Sequence, residues 1–169
     1  MFEIRAENVS NASARLGSQQ ARYDSDDRVQ ANWVAALEAE IALAQGRYAQ
    51  AVSSFKAAQT HVWLTLNSDT STVFATNPPS RDGLARVHIA RGDRAYAIDE
   101  YRRLTAEGSD AHSSAALEPR YVLELARLLV AEGDAAAARV EYARFLKLWG
   151  NADASLPELS EAKSAVAAR

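Results

Sequence analysis

Three stretches decide the reading of this chain: AQGRYAQA (44–51), ARGDRAYA (90–97) and AEGDAAAA (131–138). Each reads Ala-x-Gly-x-x-x-x-Ala. The chain has only seven glycines, and three of them fall in this one frame, at Gly46, Gly92 and Gly133. Setting the three in register extends the match well beyond it. Seven positions before the glycine stand Ala39, Ala85 and Ala126, and five after it stand Ala51, Ala97 and Ala138. Nine after it come Phe55, Tyr101 and Tyr142, and twelve after it Ala58, Leu104 and Phe145. This is an internal repeat of a helix-turn-helix unit.

The residue types have physical reasons. Antiparallel helices approach closely only where both carry small side chains, so the two alanines mark the contact inside each hairpin. The aromatic lies one turn beyond the second alanine, on the same helical face, where it fills the gap to a neighbouring hairpin. The glycine closes the first helix, where a left-handed backbone is needed and a Cβ would clash.

The rest of the chain fits helices. Alanine is abundant, proline and glycine are scarce, and 48% of the residues are hydrophobic, a composition that favours helix. Apolar residues recur at helical spacing at Val29, Trp33, Ala36, Leu37, Ile41 and Ala44, and again at Tyr48, Val52, Phe55, Ala58 and Val62. Asp24 to Asp27 supply capping carboxylates before the first of these helices. Strand-like alternation is confined to the short runs VWLTL and TVF. Asn67 to Ser80 is rich in Ser, Thr, Asn and Pro and reads as a loop, with Pro78 and Pro79 suited to open the next helix. A second polar connection, Ser109 to Ser114, precedes a helix opened by Pro119. The uneven glycine spacing, 46 and then 41 residues, marks these two insertions.

The expected organisation is a single domain over 1–169. It comprises a weakly periodic N-terminal helix within 1–24, hairpins at 28–66, 79–108 and 115–150, and a last helix at 155–169. That last helix has Asp153 or Ser155 as cap, Pro157 in its first turn, and Leu159, Ala162 and Val166 as its face.

The repeated frame resembles the tetratricopeptide (TPR) repeat, a small residue, bend glycine, alanine, aromatic and then a small or apolar residue. Ala39, Gly46, Tyr48, Ala51, Phe55 and Ala58 match in the first hairpin. Leu84, Ala85, Gly92, Ala97 and Tyr101 match in the second, and Leu125, Ala126, Gly133, Ala138 and Tyr142 in the third. The resemblance implies an all-α fold, a right-handed α-α superhelix of three helical hairpins plus a C-terminal capping helix. It implies a non-catalytic scaffold for protein or peptide binding. The family period is about 34 residues, the signature Trp is missing from all three first helices, and the closing Pro is absent, so these are degenerate repeats with inserted connections.

The tail is similar to the end of TPR regions in large bacterial multidomain signalling proteins, through Phe145, Leu146, Leu148, Trp149, Asp153, Leu156, Pro157 and Leu159. That resemblance implies a sensor or scaffold part of a bacterial regulatory protein.

Chemistry does not assemble from the sequence. His61, His88 and His112 are far apart, and none has a ligand partner at metal spacing. There is no cysteine, which removes thiolate metal sites and thiol catalysis. The glycines stand singly rather than in a phosphate-binding loop, and no serine sits in a nucleophile elbow. No catalytic residue, cofactor site or metal site is therefore expected.

The net charge of -3 and the pI near 5.6 carry no nucleic-acid signature. No apolar run approaches the length of a membrane span, and the N-terminus lacks the pattern of a secretory leader. A cytoplasmic location is expected, or an extracytoplasmic one if the chain belongs to a membrane-anchored protein.

In stacked hairpins the first helices line a concave groove. Six residues before each glycine, register places Glu40, Arg86 and Arg127 there, and one turn earlier Ala36, Asp82 and Leu123, with Trp33 and Arg120 at its mouths. Ala36 and Glu40 break the pattern by which one TPR subclass clamps a peptide carboxylate. Arg86, Arg120 and Arg127 suit an acidic segment, held through bidentate hydrogen bonds. The alternative reading is structural, with Trp63, Val73 and Phe74 forming an apolar patch for self-association into a homo-oligomer or for packing on another domain.

Overall fold

In the computed structural model, the described residues are 8–20, 28–58, 62–65, 72–75, 81–106, 118–153 and 155–168. They form eight helices and one pair of strands. In chain order these are α1 (Val9–Gln20), α2 (Arg28–Ala44), α3 (Tyr48–Ala58), β1 (Val62–Thr65), β2 (Thr72–Ala75), α4 (Gly83–Arg91), α5 (Arg94–Ala106), α6 (Glu118–Ala131), α7 (Ala135–Trp149) and α8 (Pro157–Ala167). The expected caps Asp24 to Asp27, His61, Pro78 and Pro79, His112 and the connection Ser109 to Ser114 lie outside the described residues.

The chain divides into two compact units, Met1–Val87 and His88–Arg169. The boundary falls inside α4. In the first unit α1 packs on α2, and α2 packs along α3. In the second, α5 packs on α6, α6 on α7 and α7 on α8. Within each unit, helices that follow one another in the chain pack on one another, as in a helical solenoid.

The three bends are built alike. Gly46, Gly92 and Gly133 have φ of 71°, 82° and 84°. Around each, two backbone hydrogen bonds close the preceding helix. The amide of Arg47 donates to Ala42 and that of Gly46 to Leu43, at 2.8 and 3.0 Å. Asp93 donates to His88 and Gly92 to Ile89; Asp134 donates to Leu129 and Gly133 to Val130. This pairing satisfies carbonyls that the helix end would leave open. The residue after each glycine then starts the next helix, since the carbonyls of Arg47, Asp93 and Asp134 accept from Ala51, Ala97 and Ala138. Asp134 adds a side-chain cap, accepting from the Ala137 amide at 3.0 Å.

The aligned positions are core positions. Ala39, Ala85, Ala126, Ala51, Ala97 and Ala138 are all at most 1% exposed. The aromatic column, Phe55, Tyr101 and Tyr142, is buried, as is the column Ala58, Leu104 and Phe145. In the first unit Phe55 packs among Ala39, Ala42, Ala51, Leu84 and Val87. A methyl group added at Gly83 would stand 2.3 Å from the Phe55 ring, so α4 begins on a glycine because a close approach demands it. In the second unit Tyr101 meets Tyr121 with ring centroids 6.2 Å apart.

Two expectations change. The segment read as a loop from Asn67 to Ser80 contains β2, which pairs antiparallel with β1 in the register Val62↔Ala75, Trp63↔Phe74, Leu64↔Val73 and Thr65↔Thr72. Val62–Thr65 of the run VWLTL and Thr72–Ala75, which includes the run TVF, are thus the two sides of a ribbon among described residues that are otherwise helical. The last helix is capped at Leu156, without a side-chain hydrogen bond, rather than at Asp153 or Ser155. Asp153 instead accepts the amide of Ser155 at 2.9 Å, closing a turn before the helix, and that bond holds its carboxyl below the usual range. Pro157 occupies the first turn as expected, and Leu159 and Ala162 are buried, whereas Val166 is 36% exposed.

Candidate functional site

The positions six residues before the bend glycines are held by their own helices at the half-buried edge of each unit. In the first unit α2 presents Glu40 and α4 presents Arg86. Arg86 donates from Nη1 and Nη2 to the two oxygens of Glu40, at 2.8 and 2.5 Å, and from Nε to Asp82 at 3.1 Å. The guanidinium also lies over the Phe55 ring, 5.5 Å from its centroid. Burial opposes the Arg86 charge. The hydrogen bond to Glu40 and the charges of Asp82 and Glu40 outweigh it, so the group is held protonated more firmly than a free arginine.

In the second unit Arg127 on α6 donates from Nε and Nη2 to both oxygens of Glu161 on α8, at 2.9 and 2.6 Å, and from Nη1 to Glu124 at 2.8 Å. Tyr142 on α7 donates its hydroxyl to Glu161 at 2.8 Å. The bond from Arg127 holds the Glu161 carboxyl below its ordinary range, against the opposing effect of burial, and the bond from Tyr142 assists. Burial and the Glu161 carboxylate push the Tyr142 hydroxyl up to about 12. The hydrogen bond to Glu161 raises Arg127 further against the cost of burial.

Both clusters have one rationale. A guanidinium leaving water needs carboxylates aligned with its fork, and a bidentate pair supplies them. Two of the three arginines expected to receive a partner's acidic segment, Arg86 and Arg127, therefore already hold carboxylates of the chain itself.

The other expected groove residues separate by burial. Trp33 is 55% exposed on α2. Arg120 is half-buried near the start of α6. Leu123 is 4% exposed and belongs to the core of its unit, as does Ala36 in the first, and Asp82 is 1% exposed beneath Arg86. Leu123 and Asp82 lie one turn before Arg127 and Arg86 and on the same side, but both are covered, so neither offers its side chain to solvent.

Sequence reading missed Glu161, Tyr142 and Arg144 as polar ties. Arg144 on α7 donates to the Thr105 carbonyl at the end of α5 and to Glu118 at the start of α6, each at 2.7 Å. It braces the two helices that flank residues 107–117. Register alone makes Tyr142 a core aromatic, although the hydroxyl that Phe55 lacks is a visible signal for a buried partner.

His88 stacks on Tyr96 at 5.3 Å, and its Nδ1 lies 3.7 Å from Asp93 across the second bend. Among the described residues no three of His, Cys, Asp and Glu gather as metal ligands would, and no helix is long and apolar enough to cross a membrane.

A family model of the tetratricopeptide repeat matches residues 32–55 and 119–144. The first match runs from α2 through the bend at Gly46 to Phe55, and the second from Pro119 through Gly133 to Arg144. No curated protein and no solved structure matches the chain. The middle hairpin carries the same left-handed glycine and the same buried alanines as the two matched ones. With one bend used three times and the family matching at the first and third uses, the chain is a TPR-like helical repeat protein.

Proposed function

We propose that this protein is a non-catalytic scaffold that docks a protein or peptide segment on the first helices of its hairpins. TPR repeats generally serve protein–protein interaction, and that coarser role comes with the family. One observation carries the finer reading. Trp33, a large aromatic, is left 55% exposed on α2, four residues from Leu37 and three from the buried Ala36, at the edge of the face that bears Glu40. Exposed tryptophans are expensive in solvation and are enriched where partners bind. Arg120, half-buried near the start of α6, is the cationic residue that the groove reading assigns to a partner with acidic character. The tail resemblance supports a setting in a bacterial signalling or regulatory protein.

Capture of partners from a lysate of the source cell, by wild type and by a Trp33→Ala, Arg120→Ala double variant, tests the reading. Loss of the same captured proteins with an unchanged melting temperature is expected. Full retention of them by the double variant would defeat the reading.

A second reading has its own support. A two-stranded ribbon is marginal by itself in water and needs a surface to pack on. The ribbon of β1 and β2 contains Trp63, Val73 and Phe74, so self-association, or packing on another domain, would supply one. Light scattering across a wide concentration range separates the two, since a strict monomer excludes self-association.

A further inference from the structure

We infer that α8 is a displaceable, built-in occupant of a carboxylate-reading site formed by Arg127 on α6 and Tyr142 on α7, and that it yields to an acidic helical segment of a protein partner. The inference rests on the binding reading above and names the partner class for the third hairpin.

Three donors converge on one carboxylate there. Arg127 supplies Nε and Nη2, at 2.9 and 2.6 Å from the two Glu161 oxygens, and Tyr142 supplies its hydroxyl at 2.8 Å. A bidentate fork with a third donor is a receptor geometry for a carboxylate. Glu124 holds the remaining guanidinium nitrogen at 2.8 Å, so the fork is oriented before any ligand arrives.

What fills the site is weakly held. Of the eleven residues of α8, Leu159 and Ala162 are its buried apolar anchors. Helices of this length are unstable alone in water. Its N-cap, Leu156, contributes no side-chain bond. Oε2 of Glu158, in the first turn of α8, is buried and accepts no hydrogen bond among the described residues. A buried acceptor without a donor costs free energy that release would return. The tie between Arg127 and Glu161 is 39% and 34% exposed, so water and salt compete for it.

These features define the displacing ligand. It carries a carboxylate where α8 has Glu161, a small residue where it has Ala162, a bulky apolar residue where it has Leu159, and no carboxylate where it has Glu158. A second copy's α8 is the poorer candidate. It shares the Glu158 defect, and it must compete with an identical helix tethered by the short connection Gly150 to Leu156, which has the advantage of high effective concentration.

The test is a nuclear magnetic resonance titration of the full chain with a synthetic peptide, residues 155–168 carrying Glu158→Ala. The peptide is expected to shift amide signals of Arg127 and Tyr142 and to release those of α8. Glu161→Lys in the full chain empties the site and is expected to tighten peptide binding about tenfold or more, because the competent fraction rises. Arg127→Glu is expected to abolish binding. A folded Glu161→Lys chain that ignores the peptide, or binding indifferent to Arg127→Glu, would overturn the inference. If Glu161→Lys does not fold, hydrogen exchange on wild type decides. Amides of α8 exchanging well ahead of those in α6 and α7 support displacement, and equal protection overturns it. A wild-type dimer that exchanges α8 between copies overturns the choice of partner. The Trp33 and Arg120 experiment reads a different hairpin surface, so either reading can fail without the other.

Discussion

Arg86 on α4 grips both oxygens of Glu40 on α2, and the two residues hold the same place in successive repeats, six positions before their bend glycines. The register that made them candidates for one surface is the register that pairs them. Removing one partner leaves the other charge half-buried, so Arg86→Ala should destabilise the protein by about 2–5 kcal/mol. Arg86→Glu should be worse, since Glu40 and Asp82 would face a third carboxylate. A double-mutant cycle with Glu40→Ala, read by urea denaturation, should return a coupling of about 0.5–3 kcal/mol. Additive single effects would mean that the pair contributes nothing beyond its members.

The two kinds of glycine should respond differently to a single methyl group. At Gly92 nothing lies within 4 Å of an added Cβ, and only the left-handed backbone resists it. Gly92→Ala should therefore cost about 1–2 kcal/mol. At Gly83 the buried Phe55 ring is in the way. Gly83→Ala should cost about 1–3 kcal/mol, or more if the ring cannot move. Adding Phe55→Leu should recover part of the second loss and none of the first. Thermal melts of the four variants check this.

Ala97 is fully buried at the second hairpin. Ala97→Leu should overpack it by about 1–3 kcal/mol, measured as a fall in the denaturation midpoint. Ala95, two positions away and exposed on the same helix, is the control, where leucine should be close to neutral.

The docking of α8 should weaken at both ends of the pH scale. The Glu161 carboxyl is depressed in the folded protein, so its contribution is present above the unfolded carboxylate range and is lost as pH falls through the folded value. The Tyr142 hydroxyl is raised to about 12, so its contribution is complete below the unfolded tyrosine range and is lost as pH rises through about 12. Urea midpoints of wild type and Glu161→Gln should converge in acid and separate near neutrality. Parallel curves would remove the carboxylate from the account.

The bends and the core were legible because each depends on local chemistry. A glycine at a helix end, an alanine seven before it and an aromatic nine after it are visible in any one repeat, and three copies in register make the pattern secure. The polar ties were not legible. Glu161 stands 34 residues after Arg127, one family period on, but α8 has no bend glycine of its own, so aligning the three glycines does not reach it. Burial of Leu123 and Asp82 escaped notice because register gives an angular position on a helix but not the depth of the surface that covers it. The ribbon of β1 and β2 was obscured by the polar stretch between its strands, which reads as loop from composition alone.

Arg47, Asp93 and Asp134 each donate a closing bond of one helix and accept the first bond of the next, so the bends leave only two or three residues outside either helix. A joint with no slack cannot absorb a change of length. One residue added there would rotate the second helix by about 100° and carry its alanine and aromatic off the core. Growth of the chain is thus confined to the stretches between hairpins. For protein engineers the same asymmetry is a map: tags, loops and binding segments belong between Ala58 and Arg81 or between Ala106 and Glu118, and nowhere at the glycines.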